Sequence, residues 1–149
     1  MTTQHEPNEL RPEDIALGYE VIFPSESEGV TITEDMHNNF TKTTGDINPM
    51  HIDNDFAKAK GFNGVLCYGM LTASFYSTLV GVYIPGKYAI FQEADISFQK
   101  PVHIGDSLRI KGKVSEINEI LKRITIKAEI RNQRNERVSK ATLVVGFTE

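Results

Sequence analysis

The chain has 149 residues, which is enough for one domain with a sizeable hydrophobic core. Hydrophobic residues make up 40% and charged residues 24%, and this balance excludes wholesale disorder. The net charge of −4, with no basic run broken by aromatic residues, gives no electrostatic footprint for nucleic acid. The single cysteine, Cys67, excludes an intramolecular disulfide, and its uncharged surroundings favour a small buried side chain.

The N-terminal residues differ from the rest of the chain. Residues 1–14 are polar and predict a tail or arm ahead of a single domain that covers 15–149. They lack the charged-then-apolar pattern of a signal peptide, so the default expectation is a cytoplasmic protein.

Short elements are predicted in the segment that follows. A strand is expected at about 19–23, and a further extended piece at 29–32. Thr33 has the character of an N-cap and is followed by two acids, which predicts a helix running to Thr43 and ended by Gly45.

A dense polar cluster at 44–53 comes next, in a predicted loop. It brings the carboxylate of Asp46 and the imidazole of His51 close together in sequence, across a turn that contains Asn48. Asp53 is interpreted as the cap of a short helix rather than as a catalyst.

Residues 61–86 carry no charge and predict a buried helix from about Tyr68 to Val80. The stretch is long enough to span a membrane, but its glycines and hydroxyl groups favour a short core helix instead.

The hydrophobic period changes after Gly86. Apolar and polar residues then alternate, as in 123–131, which is typical of half-buried strands. Strands are predicted at 88–100, 106–117, 121–132 and 137–147. A helix-rich first half and an antiparallel second half predict an α+β fold of the hot-dog type, a single domain whose curved antiparallel sheet wraps around one long central helix.

Three blocks of the sequence carry a resemblance to a known family. Residues 40–57, which include Gly45-Asp-Ile-Asn-Pro-Met-His51, resemble the hydratase-2 motif of the MaoC-like, R-specific enoyl-CoA hydratases. Residues 64–74 are similar to the start of that family's central helix, and 97–106 to its next strand and turn. The likeness covers about 15–147.

The resemblance implies a reaction and an assembly. The reaction is the reversible hydration of trans-2-enoyl thioesters, of CoA or acyl-carrier protein, to (R)-3-hydroxyacyl thioesters, which makes the chain a hydro-lyase that needs no cofactor. The fold is implied to be dimeric, with the active site near the subunit interface. An exposed edge strand gives a physical reason for a homodimer or higher homo-oligomer, and no nucleic-acid or membrane partner is expected.

By the same resemblance Asp46 and His51 are the catalytic pair, and Asn48 helps to hold the water. Hydration needs a base that takes a proton from water and an acid that protonates the α-carbon, and these two side chains supply both roles if their pKa values are separated. The sequence leaves open which of them protonates carbon. One histidine with neighbouring acids falls short of a full ligand set, so no metal site is predicted.

Three further positions follow from the resemblance. The N–H of Gly69, at the start of the central helix, is the implied oxyanion contact. Tyr68 stands where the family commonly has histidine, and a phenol there either keeps the geometry or alters substrate choice. Ser74 is given a supporting role.

Two alternatives remain open. One is a non-catalytic acyl-thioester-binding subunit that keeps the fold, and the other is a hot-dog thioesterase. Two of the other histidines, His5 and His37, show no partner in the pattern and are expected to be solvated.

Overall fold

The computed structural model describes residues 5–149, and its helices lie in the first half of that range. The helices are α1 (Glu34–Thr44), α2 (Pro49–Ile52), α3 (Asn54–Ala59) and α4 (Gly69–Thr78). A single wider turn of π-helix, Leu79–Tyr83, continues α4. Within residues 5–149, every helix is too short or too polar to cross a bilayer.

Six strands form one antiparallel sheet. They are β1 (Glu20–Phe23), β2 (Val30–Thr31), β3 (Ala89–Phe98), β4 (Ser107–Asn118), β5 (Arg123–Arg131) and β6 (Arg137–Phe147). Their order is β1-β4-β5-β6-β3, and β2 pairs with β4 beside β1. The strand that follows the central helix, β3, therefore forms an open edge of the sheet.

The core lies between α4 and the inner face of the sheet. Alternate residues of the strands, such as Ile110, Ile126 and Leu143, are fully buried together with Tyr76 and Leu79 from the helix side. The backbone of β4 passes so near the end of the helix that a Cβ on Gly112 would lie 2.7 Å from Leu79 Cδ2. A glycine at this point lets the sheet approach the helix closely.

This arrangement is the predicted hot-dog architecture, and its elements agree with the sequence patterns. The strands fall within two or three residues of the predicted bounds, because one face is buried and strict alternation marks which residues lie on it. Helix α1 begins as predicted, since Thr33 Oγ1 accepts the Met36 N–H at 3.2 Å. It ends at Gly45, which has a φ of 72°.

Two local predictions are wrong. His37 is 3% exposed rather than solvated, because it lies on the inner stripe of α1 with Met36 and Phe40. The polar cluster is also not all loop, since residues 49–52 form α2. Asn48 caps this helix, and Pro49 starts it with a backbone angle that suits the first turn.

The described part of the predicted N-terminal arm lies along the segment that follows α4. The Asn8 N–H donates to the Val82 C=O at 2.8 Å, and Glu9 forms an isolated bridge with Gly86. Residues 1–4 of the predicted arm lie outside the described residues.

Candidate active site

Two short helices hold the polar cluster in place. Asn48 Oδ1 accepts the Met50 N–H at 2.9 Å and so caps α2, while Asp53 Oδ1 accepts the Phe56 N–H at 3.1 Å and caps α3. His51 lies on the short helix between these two caps. Its backbone is therefore fixed on both sides along the chain.

The ring of His51 is anchored by the segment that leads into α4. Its Nδ1 lies 2.7 Å from the C=O of Leu66, and the Leu66 N–H donates to the Met50 C=O at 2.9 Å. A carbonyl oxygen only accepts, so Nδ1 carries the hydrogen in this contact. In the neutral ring Nε2 then has the lone pair and is the nitrogen that can take a proton.

The carboxylate of Asp46 is shaped by its own turn. Its Oδ1 accepts the Asn48 N–H at 3.1 Å, and its backbone N–H donates to Thr44 Oγ1 at 3.3 Å. The side chain is exposed, so this carboxylate is open to water or to a ligand.

Tyr68 joins the two candidate catalytic residues from below. It is 2% exposed, its ring centroid lies 4.1 Å from that of His51, and its hydroxyl donates to the Asp46 C=O at 2.6 Å. The same hydroxyl lies 2.7 Å from Thr41 Oγ1. The buried Tyr68 side chain therefore supports both the backbone of Asp46 and the ring of His51.

Helix α4 begins at Gly69, immediately after that phenol. Among residues 5–149 no side chain caps this N-terminus, which leaves the first N–H groups of the helix free to bind an anionic oxygen. A Cβ on Gly69 would lie 3.3 Å from the ring of Phe98, so the glycine keeps the approach to this backbone open.

A cleft of about 670 Å³ runs from the polar cluster along α4 to the edge strand β3. The helical side of the cleft includes Asp46, His51, Tyr68, Gly69 and Ser74, and the strand side is apolar. The strand residues that line it are Phe91, Ala94, Ile96 and Phe98. Of the described residues that line this cleft, Asp46 is the only carboxylate and His51 the only imidazole. A carboxylate and an imidazole thus line the same cleft as an apolar strand face.

A second cleft, of about 450 Å³, meets the first at His51, Gly69 and Phe98. It extends past Thr72 toward Lys100 at the surface. The half-exposed ring of Phe98 stands between the two clefts. A long, thin ligand that passes His51 could occupy both.

Two other predicted site residues, Asn48 and Ser74, form hydrogen bonds within helices. Asn48 is not among the residues that line either cleft, and its amide oxygen is occupied by the cap of α2. Its amide nitrogen and the second lone pair of that oxygen remain for a water. Ser74 lines the larger cleft, but its hydroxyl donates to the Leu71 C=O within α4.

Two other titratable side chains that line the clefts, Cys67 and Tyr76, are held neutral by burial. Desolvation raises the pKa of the Cys67 thiol to about 11, and it raises the pKa of the Tyr76 phenol to about 12. Neither group is ionised near pH 7, so neither is a nucleophile or an acid of suitable strength there. Within residues 5–149 no group of three or more His, Cys, Asp and Glu side chains is arranged to hold a metal ion.

Two residues under the site were not identified from the sequence, Thr41 and His37. Both lie on α1, one turn apart, and both contact Tyr68. The only signal available was their place on the inner stripe of an amphipathic helix, next to Met36 and Phe40.

Comparison with known proteins gives a consistent result. The family described as MaoC like domain matches residues 23–137. An (R)-specific enoyl-CoA hydratase from Aeromonas caviae is 36% identical over 80 residues, which is 54% of this chain and 60% of that protein. A 3-hydroxybutyryl-CoA dehydratase from Methylorubrum extorquens is 30% identical over 105 residues, 70% of this chain and 64% of that protein. The chain thus spans somewhat under two thirds of the length of each of these two relatives.

The fold is shared more widely than the sequence. The solved structure of an (R)-hydratase from A. caviae superposes with a TM-score of 0.83 at 26% identity and covers 91% of this chain and 99% of that one.

Proposed function

We propose that this chain, which belongs to the MaoC like domain family, catalyses the reversible hydration of trans-2-enoyl thioesters to (R)-3-hydroxyacyl thioesters. The observation that carries this proposal is the convergence of Asp46 and His51 on one cleft whose other wall is apolar. The relatives named as hydratases and dehydratases support the same reaction class.

The proposed chemistry uses the positions of Asp46 and His51 and the lone pair on His51 Nε2. A water between Asp46 and His51 attacks the β-carbon, and the lone pair on His51 Nε2 takes a proton as the new C–O bond forms. The α-carbon gains a proton in return, so the elements of water are added across the double bond. Either the charged His51 returns the proton that it has taken, or Asp46 delivers one from a carboxyl group that starts protonated and is then restored by proton transfer from His51.

The thioester carbonyl is the other reacting group. Its oxygen gains negative charge as the β-carbon is attacked, and we assign the N–H of Gly69 as the donor that stabilises it. The acyl chain would then lie along α4 against Ile96 and Phe91, in the larger cleft. No cofactor enters this scheme, and its absence stays a prediction, as does a cytoplasmic location.

A crotonyl thioester tests the proposal directly. We expect the protein to remove the enoyl absorbance of crotonyl-CoA, or of crotonyl-acyl-carrier protein, without release of free thiol. Release of thiol would instead identify a thioesterase. Binding of both thioesters without loss of either would identify a non-catalytic subunit, and each of these outcomes overturns hydration.

We also propose that two copies pair along β3. This strand is at the open edge of the sheet, and most of its residues are exposed, including Phe91 and Phe98. Pairing would remove an unprotected edge and would close the strand side of the cleft. Light scattering after size exclusion should give twice the mass of one chain, and a monomer that retains full hydratase activity would contradict this assembly.

A further inference from the structure

His37 is buried directly beneath the candidate site. It is 3% exposed, its Nε2 lies 2.7 Å from the C=O of His51, and its ring centroid lies 4.8 Å from that of Tyr68. A carbonyl oxygen only accepts, so Nε2 carries the hydrogen and Nδ1 the lone pair. The tautomer of His37 is thus fixed by a backbone atom of the residue proposed to move protons.

The other nitrogen of this ring has no partner. Among the described residues, His37 Nδ1 is a buried side-chain nitrogen without a hydrogen bond. Burying an unpaired acceptor is unfavourable, and an apolar side chain at this place on α1 would avoid the cost. The contact that offsets it is the bond from Nε2 to His51.

Helix α1 holds the backbone of Asp46 in a similar way. Thr41, one turn after His37, contacts the hydroxyl of Tyr68, and that hydroxyl donates to the C=O of Asp46. One helix therefore fixes the backbone carbonyls of both Asp46 and His51, the first through a phenol and the second through an imidazole. The ring of Tyr68 lies against both histidine rings.

We propose that His37 is a positioning residue for the hydration reaction, which fixes the backbone of His51 and thereby aims its ring at the water beside Asp46. The inference rests on the proposed function. His37 is buried and does not line the clefts, so it acts through His51 and not on the substrate. Its loss should therefore lower kcat and leave KM nearly unchanged, because small errors of alignment act mainly on the reacting step.

A pair of variants separates positioning from packing. Glutamine at this position, His37→Gln, can offer an amide N–H to the His51 C=O, whereas His37→Leu cannot, and both lose the aromatic contact with Tyr68 equally. We expect the leucine variant to lower kcat by about 10- to 100-fold with KM within about threefold, and glutamine to restore most of the loss. Melting temperatures of both variants show whether a loss of folding contributes.

The contrary results are distinct. An unchanged kcat in His37→Leu, or an equal loss in the leucine and glutamine variants, would assign His37 to packing alone. Where the leucine variant does not fold, His37→Met takes its place, because a thioether also has no N–H to donate and its flexible chain can fill the space. It should lower kcat with KM unchanged, and a wild-type kcat there would overturn the proposal.

A readout that does not depend on turnover distinguishes this inference from the proposed function. Nitrogen chemical shifts of the His51 ring report which nitrogen carries its hydrogen. We expect Nδ1–H in the wild type and in His37→Gln, and a mixture of tautomers in His37→Leu. A wild-type protein that does not hydrate enoyl thioesters would overturn the proposed function. Unchanged nitrogen shifts of His51 in the leucine variant would instead refute positioning by His37.

Discussion

Replacing Asp46 by asparagine, or His51 by glutamine, is expected to lower kcat for crotonyl-thioester hydration by about 10²- to 10⁴-fold. Asparagine keeps an oxygen that can accept the Asn48 N–H, so the turn should survive while the charge is lost. Glutamine fills a similar volume to histidine but cannot take a proton from water. Initial rates over a range of thioester concentrations would measure both effects.

The double variant carries more information than either single change. If Asp46 and His51 act on one water as a unit, removing both should cost little more than removing one, because each single change already disables the step. Independent roles would make the losses multiply. The size of the double-variant effect therefore tests cooperation in addition to participation.

Asp55→Asn is the matched control. Asp55 is an exposed acid in the first turn of α3, near the candidate site in sequence but outside both clefts. Its loss changes net charge by the same amount as Asp46→Asn and should leave kcat within about twofold, since isolated exposed charges contribute little. A single variant of Asp46 or His51 that keeps more than a tenth of the wild-type kcat would remove that residue from the chemistry.

The fold was readable from the sequence because its main signals are local. Alternation marks the buried face of β5, and a capping threonine and a terminal glycine bound α1. The candidate pair was named from the family resemblance of one short segment; both side chains line one cleft, and their catalytic roles stay a prediction. These features need only residues that are near each other along the chain.

The residues that support the candidate site could not be identified from the sequence, because their contacts join segments that are far apart along the chain. The hydroxyl of Tyr68 reaches back to the C=O of Asp46, and His37 reaches the C=O of His51 from another helix. A backbone carbonyl is present at every residue, so the sequence gives no indication of which one a buried polar side chain will meet. His37 was therefore predicted to be solvated, and the bracing role of Tyr68 could only be posed as a question.

The departure at Tyr68 can be interpreted from this geometry. A histidine there would lack the reach of a phenol hydroxyl, whereas Tyr68 spans from α4 to the C=O of Asp46 while an imidazole, His37, lies against its face. The phenol also connects the start of α4 to α1 through its contact with Thr41. Buried polar groups that satisfy one another in this way fix a unique arrangement of their backbones.

Removing the backbone N–H of Gly69 should have the other large effect on turnover. Proline is the substitution that does this, and the local structure can accept it. Gly69 is the first residue of α4, where proline is favoured, and Tyr68 before it has φ −60° and ψ 129°, values compatible with a following proline. We expect Gly69→Pro to lower kcat by about 10²- to 10³-fold relative to its control.

The control is Gly69→Ala, which adds a Cβ but keeps the N–H. That Cβ would lie 3.3 Å from the exposed ring of Phe98, which can move aside, so a loss of less than about tenfold is expected. The ratio of the alanine and proline variants then isolates the N–H from the added bulk near it. Equal kcat values in the two variants would show that this N–H does not stabilise the transition state.

The proline ring itself could obstruct the ligand, and binding separates that effect from loss of the donor. Butyryl-CoA has the length of the substrate but no double bond, so it reports fit without reaction. A lost oxyanion contact should leave its dissociation constant near that of the alanine variant, because the donor is needed most when charge develops on the carbonyl oxygen. Weaker binding in proportion to the loss of kcat would instead mean that the cleft at Gly69 is blocked, and the oxyanion assignment would lose its support.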